Sequence, residues 1–170
     1  MRRFGLNLSA VAVCILLALA ICLPSCEDNT WRSSVPAYPV RLTIDTKVGE
    51  FVHFQPTATG TYVGANRDGY FLNDKYVLPF PVTDAYGYGG VVVYVDLFGY
   101  SAYDLACPHC ASKGACVPCI VDGAFATCPQ CTEQYDLMSG TAAPQKGLVK
   151  EPLRQLNVIN SDGKLTITQK

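Results

Sequence analysis

Six of the nine cysteines in this chain fall between positions 107 and 131. They form three C-x-x-C pairs: Cys107-Pro108-His109-Cys110, Cys116-Val117-Pro118-Cys119 and Cys128-Pro129-Gln130-Cys131. Thiols packed this densely on short loops need cross-links or a metal, because free thiols do not persist in an oxidising compartment. As disulfides, six cysteines allow fifteen connectivities, and spacing selects none of them. As metal ligands, the outer pairs read C-x2-C-x17-C-x2-C, which fits the zinc pattern. Four thiolates converging from two such knuckles satisfy a tetrahedral ion.

The rest of the chain has to build a scaffold for those loops, and its pattern is β. Val40–Ile44 alternates apolar and polar residues, and Phe51–Phe54 does so more loosely. The continuous apolar run Val91–Val95 suits a strand buried on both faces. Leu153–Ile159 and Lys164–Thr168 flank Asn160-Ser161-Asp162-Gly163, a hairpin signal. With 170 residues, 14 Gly, 11 Pro and 10 Tyr, one all-β domain rich in turns is expected, and no long helix. A balance of 13 Lys+Arg against 14 Asp+Glu gives no electrostatic footprint for nucleic acid. Only two histidines occur, at 53 and 109, and no Ser–His–Asp set can be built from them. His53, inside the apolar segment 51–54, is expected to be a packed core residue. Asp104 and Asp136 each follow a Tyr beside a cysteine loop and are expected to orient loop backbone. The tyrosines of 86–103 are expected to serve strand packing, with Tyr88 and Tyr94 as candidates for an apolar cover.

The first 25 residues read as an address. Arg2 and Arg3 precede an uncharged run from Phe4 to Ser25, the layout of a secretory signal. Leu23-Pro24-Ser25-Cys26 resembles a bacterial lipobox, which implies a lipid on Cys26 and a domain held outside the cytoplasm at the cell envelope. The run is also long enough for an uncleaved anchor, with the same orientation. The expected organisation is a signal at 1–25, a polar tether at 26–34 and a domain at 35–170.

The cysteine loops carry a second resemblance. Cys107-Pro108-His109 resembles the first loop of Rieske iron–sulfur domains. Cys128-Pro129-Gln130-Cys131-Thr132-Glu133-Gln134-Tyr135-Asp136-Leu137 is similar to their second loop, and Gly140, Gly147 and Pro152-Leu153 to their tail. The resemblance implies a Rieske-like β-sandwich with a small rubredoxin- or zinc-ribbon-like lobe at about 105–138. It implies a [2Fe–2S] cluster on Cys107, His109, Cys128 and Cys131, and Tyr135 close to that cluster. Two departures stand out: Cys131 is where the family has its second histidine, and Thr132 is where it has glycine. The family's loop disulfide also lacks its usual partners, so Cys110, Cys116 and Cys119 remain the candidates for disulfides. One imidazole replaced by a thiolate adds negative charge, which implies a potential between about −150 mV and roughly −400 mV. The function so implied is one-electron transfer to a separate redox partner protein rather than catalysis. The alternative is a non-redox structural or binding lipoprotein whose cysteines hold zinc or form disulfides.

Overall fold

Alternation along Val40–Asp45 is realised as strand β1, in which Val40, Leu42 and Ile44 point inward. The structure, a computed structural model, describes residues 33–146 and 150–170. The expected signal, the lipidation site Cys26 and nearly all of the tether lie outside the described residues. Ser33 and Ser34, where that tether ends, are hydrogen-bonded to the carboxylate of Glu151.

Strands β2 (Tyr62–Asn66), β3 (Gly69–Leu72), β4 (Lys75–Leu78), β5 (Ala85–Tyr86), β6 (Val91–Asp96) and β7 (Gly99–Asp104) follow β1. One helical turn, α1 (Pro108–Ala111), leads into β8 (Ile120–Asp122), β9 (Phe125–Thr127), β10 (Gln134–Asp136) and β11 (Ala143–Lys146). The hairpin β12 (Gln155–Ser161) and β13 (Lys164–Thr168) closes the domain. Nine strands pair antiparallel in the order β4-β3-β2-β6-β7-β12-β13-β1-β5, and β11-β10-β9-β8 form a separate small sheet. The β12–β13 turn is the one read from the sequence, with Asp162 and Gly163 at φ 54° and 84°.

Strand β12 joins two arms of the large sheet. It pairs with β7 at Gln155 and Leu156, and with β13 from Asn157 onward. Residues of both arms, among them Leu42, Ile44, Val63, Val93, Ala102 and Ile167, meet in one core. The sheet therefore folds over itself as a sandwich. Every residue of β6 is buried, as its unbroken apolar run requires. Val91, Val93 and Val95 enter the sandwich core, while Val92 and Tyr94 face the cysteine-bearing lobe. The fold is thus all-β, with a small lobe laid on the outer face of β6 and β7.

The segment 51–54 departs from expectation. It is no strand: Gly49–Phe51 form a turn of 3-10 helix, and His53 is exposed. Three residues per turn put Phe51 and Phe54 on one side, both buried, and leave Val52 and His53 in solvent. His53 is not a core residue.

Candidate metal centre

The first cysteine loop is held from behind. Asp104, buried at the end of β7, accepts N–H bonds from Tyr88 (2.7 Å), Gly89 (2.9 Å) and Ala106 (2.9 Å). It thereby clamps the 87–90 bend against the residue before Cys107. Gly89 is required there, since a Cβ would lie 2.3 Å from the Ala106 nitrogen. Burial pushes the Asp104 carboxyl above its ordinary value, opposed by those three donors and by Arg154. Residues 115–119 run antiparallel beside the loop: Cys107 N–H donates to the Val117 carbonyl (2.9 Å) and Cys119 N–H to that of Leu105 (2.7 Å). Pro108, whose ring presets a helical φ, then opens α1.

The second loop is the turn between β9 and β10. Cys128 N–H donates to the Glu133 carbonyl (2.8 Å), and Thr132 N–H to that of Cys128 (3.0 Å). Closing this turn puts Thr132 at φ 60°, in the left-handed region that favours glycine. For a β-branched residue that conformation costs roughly 1–3 kcal/mol.

The two loops bring four sulfurs together. Those of Cys107, Cys110, Cys128 and Cys131 all lie within 4.8 Å of one another, and among the described residues no other His, Cys, Asp or Glu joins them. Across the loops, Cys107 Sγ is 3.5 Å from Cys131 Sγ and Cys110 Sγ is 3.7 Å from Cys128 Sγ. Four thiolates around one tetrahedral ion, at about 2.3 Å each, stand about 3.8 Å apart. Two ions bridged by sulfides are edge-sharing tetrahedra, which at the same bond length hold their terminal thiolate pairs about 5 to 6.5 Å apart. The sulfur separations fit the first arrangement.

No protein-family model and no curated protein matches the chain. Among solved structures, it is similar to a chain in a complex of reduced oxygenase and oxidised ferredoxin in carbazole 1,9a-dioxygenase. That alignment has 15% identity over 78% of this chain and 96% of the other, with a TM-score of 0.44. The ferredoxin of carbazole 1,9a-dioxygenase from Nocardioides aromaticivorans IC177 gives 15%, 78%, 98% and 0.42. A Sphingomonas yanoikuyae B1 ferredoxin gives 17%, 68%, 94% and 0.39.

His109 stands apart from the sulfurs. Its Nε2 is 2.5 Å from Lys113 Nζ, and its Nδ1 faces a Glu133 carboxylate oxygen at 4.0 Å. Lysine can only donate, so the Nε2 lone pair is engaged by Lys113 and the ring proton sits on Nδ1. Tyr135 is fully buried with its hydroxyl 3.5 Å from Cys107 Sγ, placed to donate to that sulfur. Burial, and next the hydrogen bond to Cys107, raises the Tyr135 pKa and keeps the phenol protonated. All six cysteines of the region are free thiols. Cys119 is buried beside the four, and Cys116 is exposed with its thiol donating to the Tyr88 carbonyl at 3.2 Å.

The electrostatics of the clustered thiols oppose ionisation. Desolvation pushes Cys110 well up and Cys131 up to about 11, with neighbouring sulfurs adding to the rise. Cys128 goes the other way: burial raises it, but N–H donors of Cys131 and Gln130 outweigh that and lower it. A cation at the centre reverses this balance, because a coordinating thiol is deprotonated outright. Any metal bound by these four sulfurs would therefore displace protons from them.

Proposed function

We propose that the domain carries single electrons on one iron ion held by Cys107, Cys110, Cys128 and Cys131, and that a lipid on Cys26 keeps it at the outside of a bacterial inner or outer membrane. The observation that supports this reading is the set of sulfur separations, all within 4.8 Å, which suits one tetrahedral ion. Cys110 takes the fourth position, and His109, engaged by Lys113, stays outside the ligand set. Four thiolates fill the coordination sphere, so no position is left for a substrate. A closed centre with a redox-active ion exchanges electrons and nothing else. Cys131 is the one ligand residue of the four that reaches solvent, which gives a partner protein its shortest approach to the ion.

A single ion also suits the proposed compartment. A chain exported unfolded can load one ion after it has crossed the membrane, whereas a sulfide-bridged cluster has to be assembled beforehand. A second reading rests on the same closed tetrahedron, which is the geometry of structural zinc sites. Metal and acid-labile sulfide analysis of anaerobically purified protein, with visible and EPR spectra, separates the possibilities. One iron per chain, no labile sulfide and a reversible one-electron couple are expected. Stoichiometric zinc in a colourless protein moves the assignment to the structural reading, and two irons with two sulfides refute the single-ion centre.

A further inference from the structure

The four sulfurs are as well placed to bond with each other as to hold an ion. They differ in one respect: Cys107, Cys110 and Cys128 are buried, and Cys131 is partly exposed. The sulfur nearest to Cys131 across the loops is that of Cys107, at 3.5 Å. The two residues are 24 positions apart, on different loops. A bond between them closes a long segment and removes more freedom from the unfolded chain than one inside either C-x-x-C pair.

We propose that Cys131 and Cys107 form a disulfide-exchange site for an oxidised dithiol protein, and that closing their bond expels the ion. The inference rests on the ligand set proposed above. In the first step Cys131 Sγ attacks one sulfur of the partner's disulfide. A mixed disulfide forms, and the partner's other sulfur leaves as a thiolate. In the second step Cys107 Sγ attacks the Cys131 sulfur, the intrachain bond forms and the remaining partner sulfur leaves. In the metal-free chain two electrons and two thiol protons pass to the partner, whose disulfide becomes two thiols. In the ion-loaded chain the ligands are thiolates, so solvent supplies the partner's two protons and the two that Cys110 and Cys128 take up as the cation leaves. Cys110 and Cys128 stay behind as a buried dithiol, 3.7 Å apart. Two ligands cannot hold what four held, so the ion departs. Reduction of the bond restores the site.

The exposed thiol of Cys116 and those of Cys14, Cys22 and Cys26 are bystanders in this scheme, and the test is run on full-length chain with all four replaced by Ser. Oxidised glutathione serves as the probe disulfide. Metal-free protein is expected to lose two thiols, with Cys107–Cys131 the first bond mapped by mass spectrometry at half conversion. Zinc-loaded protein is expected to release one zinc per bond formed, read with a chromophoric chelator. Adding Cys107→Ser should trap one glutathione on Cys131, whereas adding Cys131→Ser should leave Cys107 unmodified. A first bond joining Cys131 to any other cysteine, zinc retained after the bond has closed, or an adduct on Cys107 overturns the proposal. Zinc titration of the reduced chain reports the ligand set separately. Failure there removes the metal reading while leaving the disulfide map intact, and failure of the map alone removes only this inference.

Discussion

Replacing Cys110 by Ser and, separately, His109 by Gln asks directly which residue completes the centre. A four-ligand zinc site is worth about 10–16 kcal/mol, so one thiolate accounts for roughly 2.5–4 kcal/mol. At 1.4 kcal/mol per decade this is about a hundredfold to a thousandfold in affinity. Cys110 is buried and its sulfur is 3.7 Å from that of Cys128, so Cys110→Ser is expected to incur the whole loss. His109→Gln removes a ring held by Lys113 and Glu133 that touches no sulfur. Its cost should stay below about tenfold, the lower edge of losses seen for outer-sphere partners. The assay is anaerobic competition for zinc against a chromophoric chelator. Cobalt loading adds a count of bound thiolates, because the charge-transfer absorbance of Cys110→Ser should fall by about a quarter. A His109→Gln loss as large as that of Cys110→Ser would refute the four-thiolate set and restore the Cys3His one.

Tyr135→Phe deletes the donor facing Cys107 Sγ and should lower the proposed iron centre's midpoint potential by roughly 20–65 mV, since about 0.5–1.5 kcal/mol of hydrogen bonding favours the more negative reduced state; potentiometric titration reads the shift. Asp104, raised by burial, binds its proton more tightly folded than unfolded. Its contribution is therefore complete below the ordinary 3.8 and is lost as pH climbs through the raised value, and Asp104→Asn should flatten that slope in urea unfolding run across pH while costing about 1–3 kcal/mol. Gly89→Ala drives a Cβ against the Ala106 backbone and should cost at least about 1–3 kcal/mol in thermal unfolding, with weakened metal uptake. Removing the metal should speed hydrogen exchange at Ala126 and Tyr135 in the lobe, leaving Val93 and Ala102 in the sandwich unchanged.

Much of the scaffold is legible in the sequence because burial writes itself into periodicity. Val40–Asp45 alternates since one face is wet, and Val91–Asp96 does not since both of its faces are covered. The turn at Asp162-Gly163 shows because only certain residues take positive φ. His53 departs from its expected place for the same physical reason in reverse: two aromatics three apart suit a 3-10 turn as well as a loose strand. The ligand set was the harder problem. Cys107-Pro108-His109-Cys110 offers both C-x-H and C-x-x-C, and composition does not choose between them. Backbone rotation does. In the helical turn opened by Pro108, residues i and i+3 fall on one side while i+2 is swung about 200° away. Cys110 therefore joins Cys107, and His109 turns away from the sulfurs to Lys113.

A bound ion would matter most to the lobe. Its strands β8, β9 and β10 have three residues each and β11 has four, too little sheet to be stable alone. On one side it leans on Tyr62, Tyr94 and Tyr103 of the large sheet, with the Tyr94 hydroxyl donating to the Gly123 carbonyl at 3.1 Å. At the loop end the core consists of sulfur, where other small domains would place leucine or valine. Thiols pack as small apolar groups, but they leave the loops joined by weak contacts of 3.5–3.7 Å. An ion would replace those contacts with bonds and turn ligand affinity into folding free energy for the lobe. The sandwich has its own apolar core and does not depend on it.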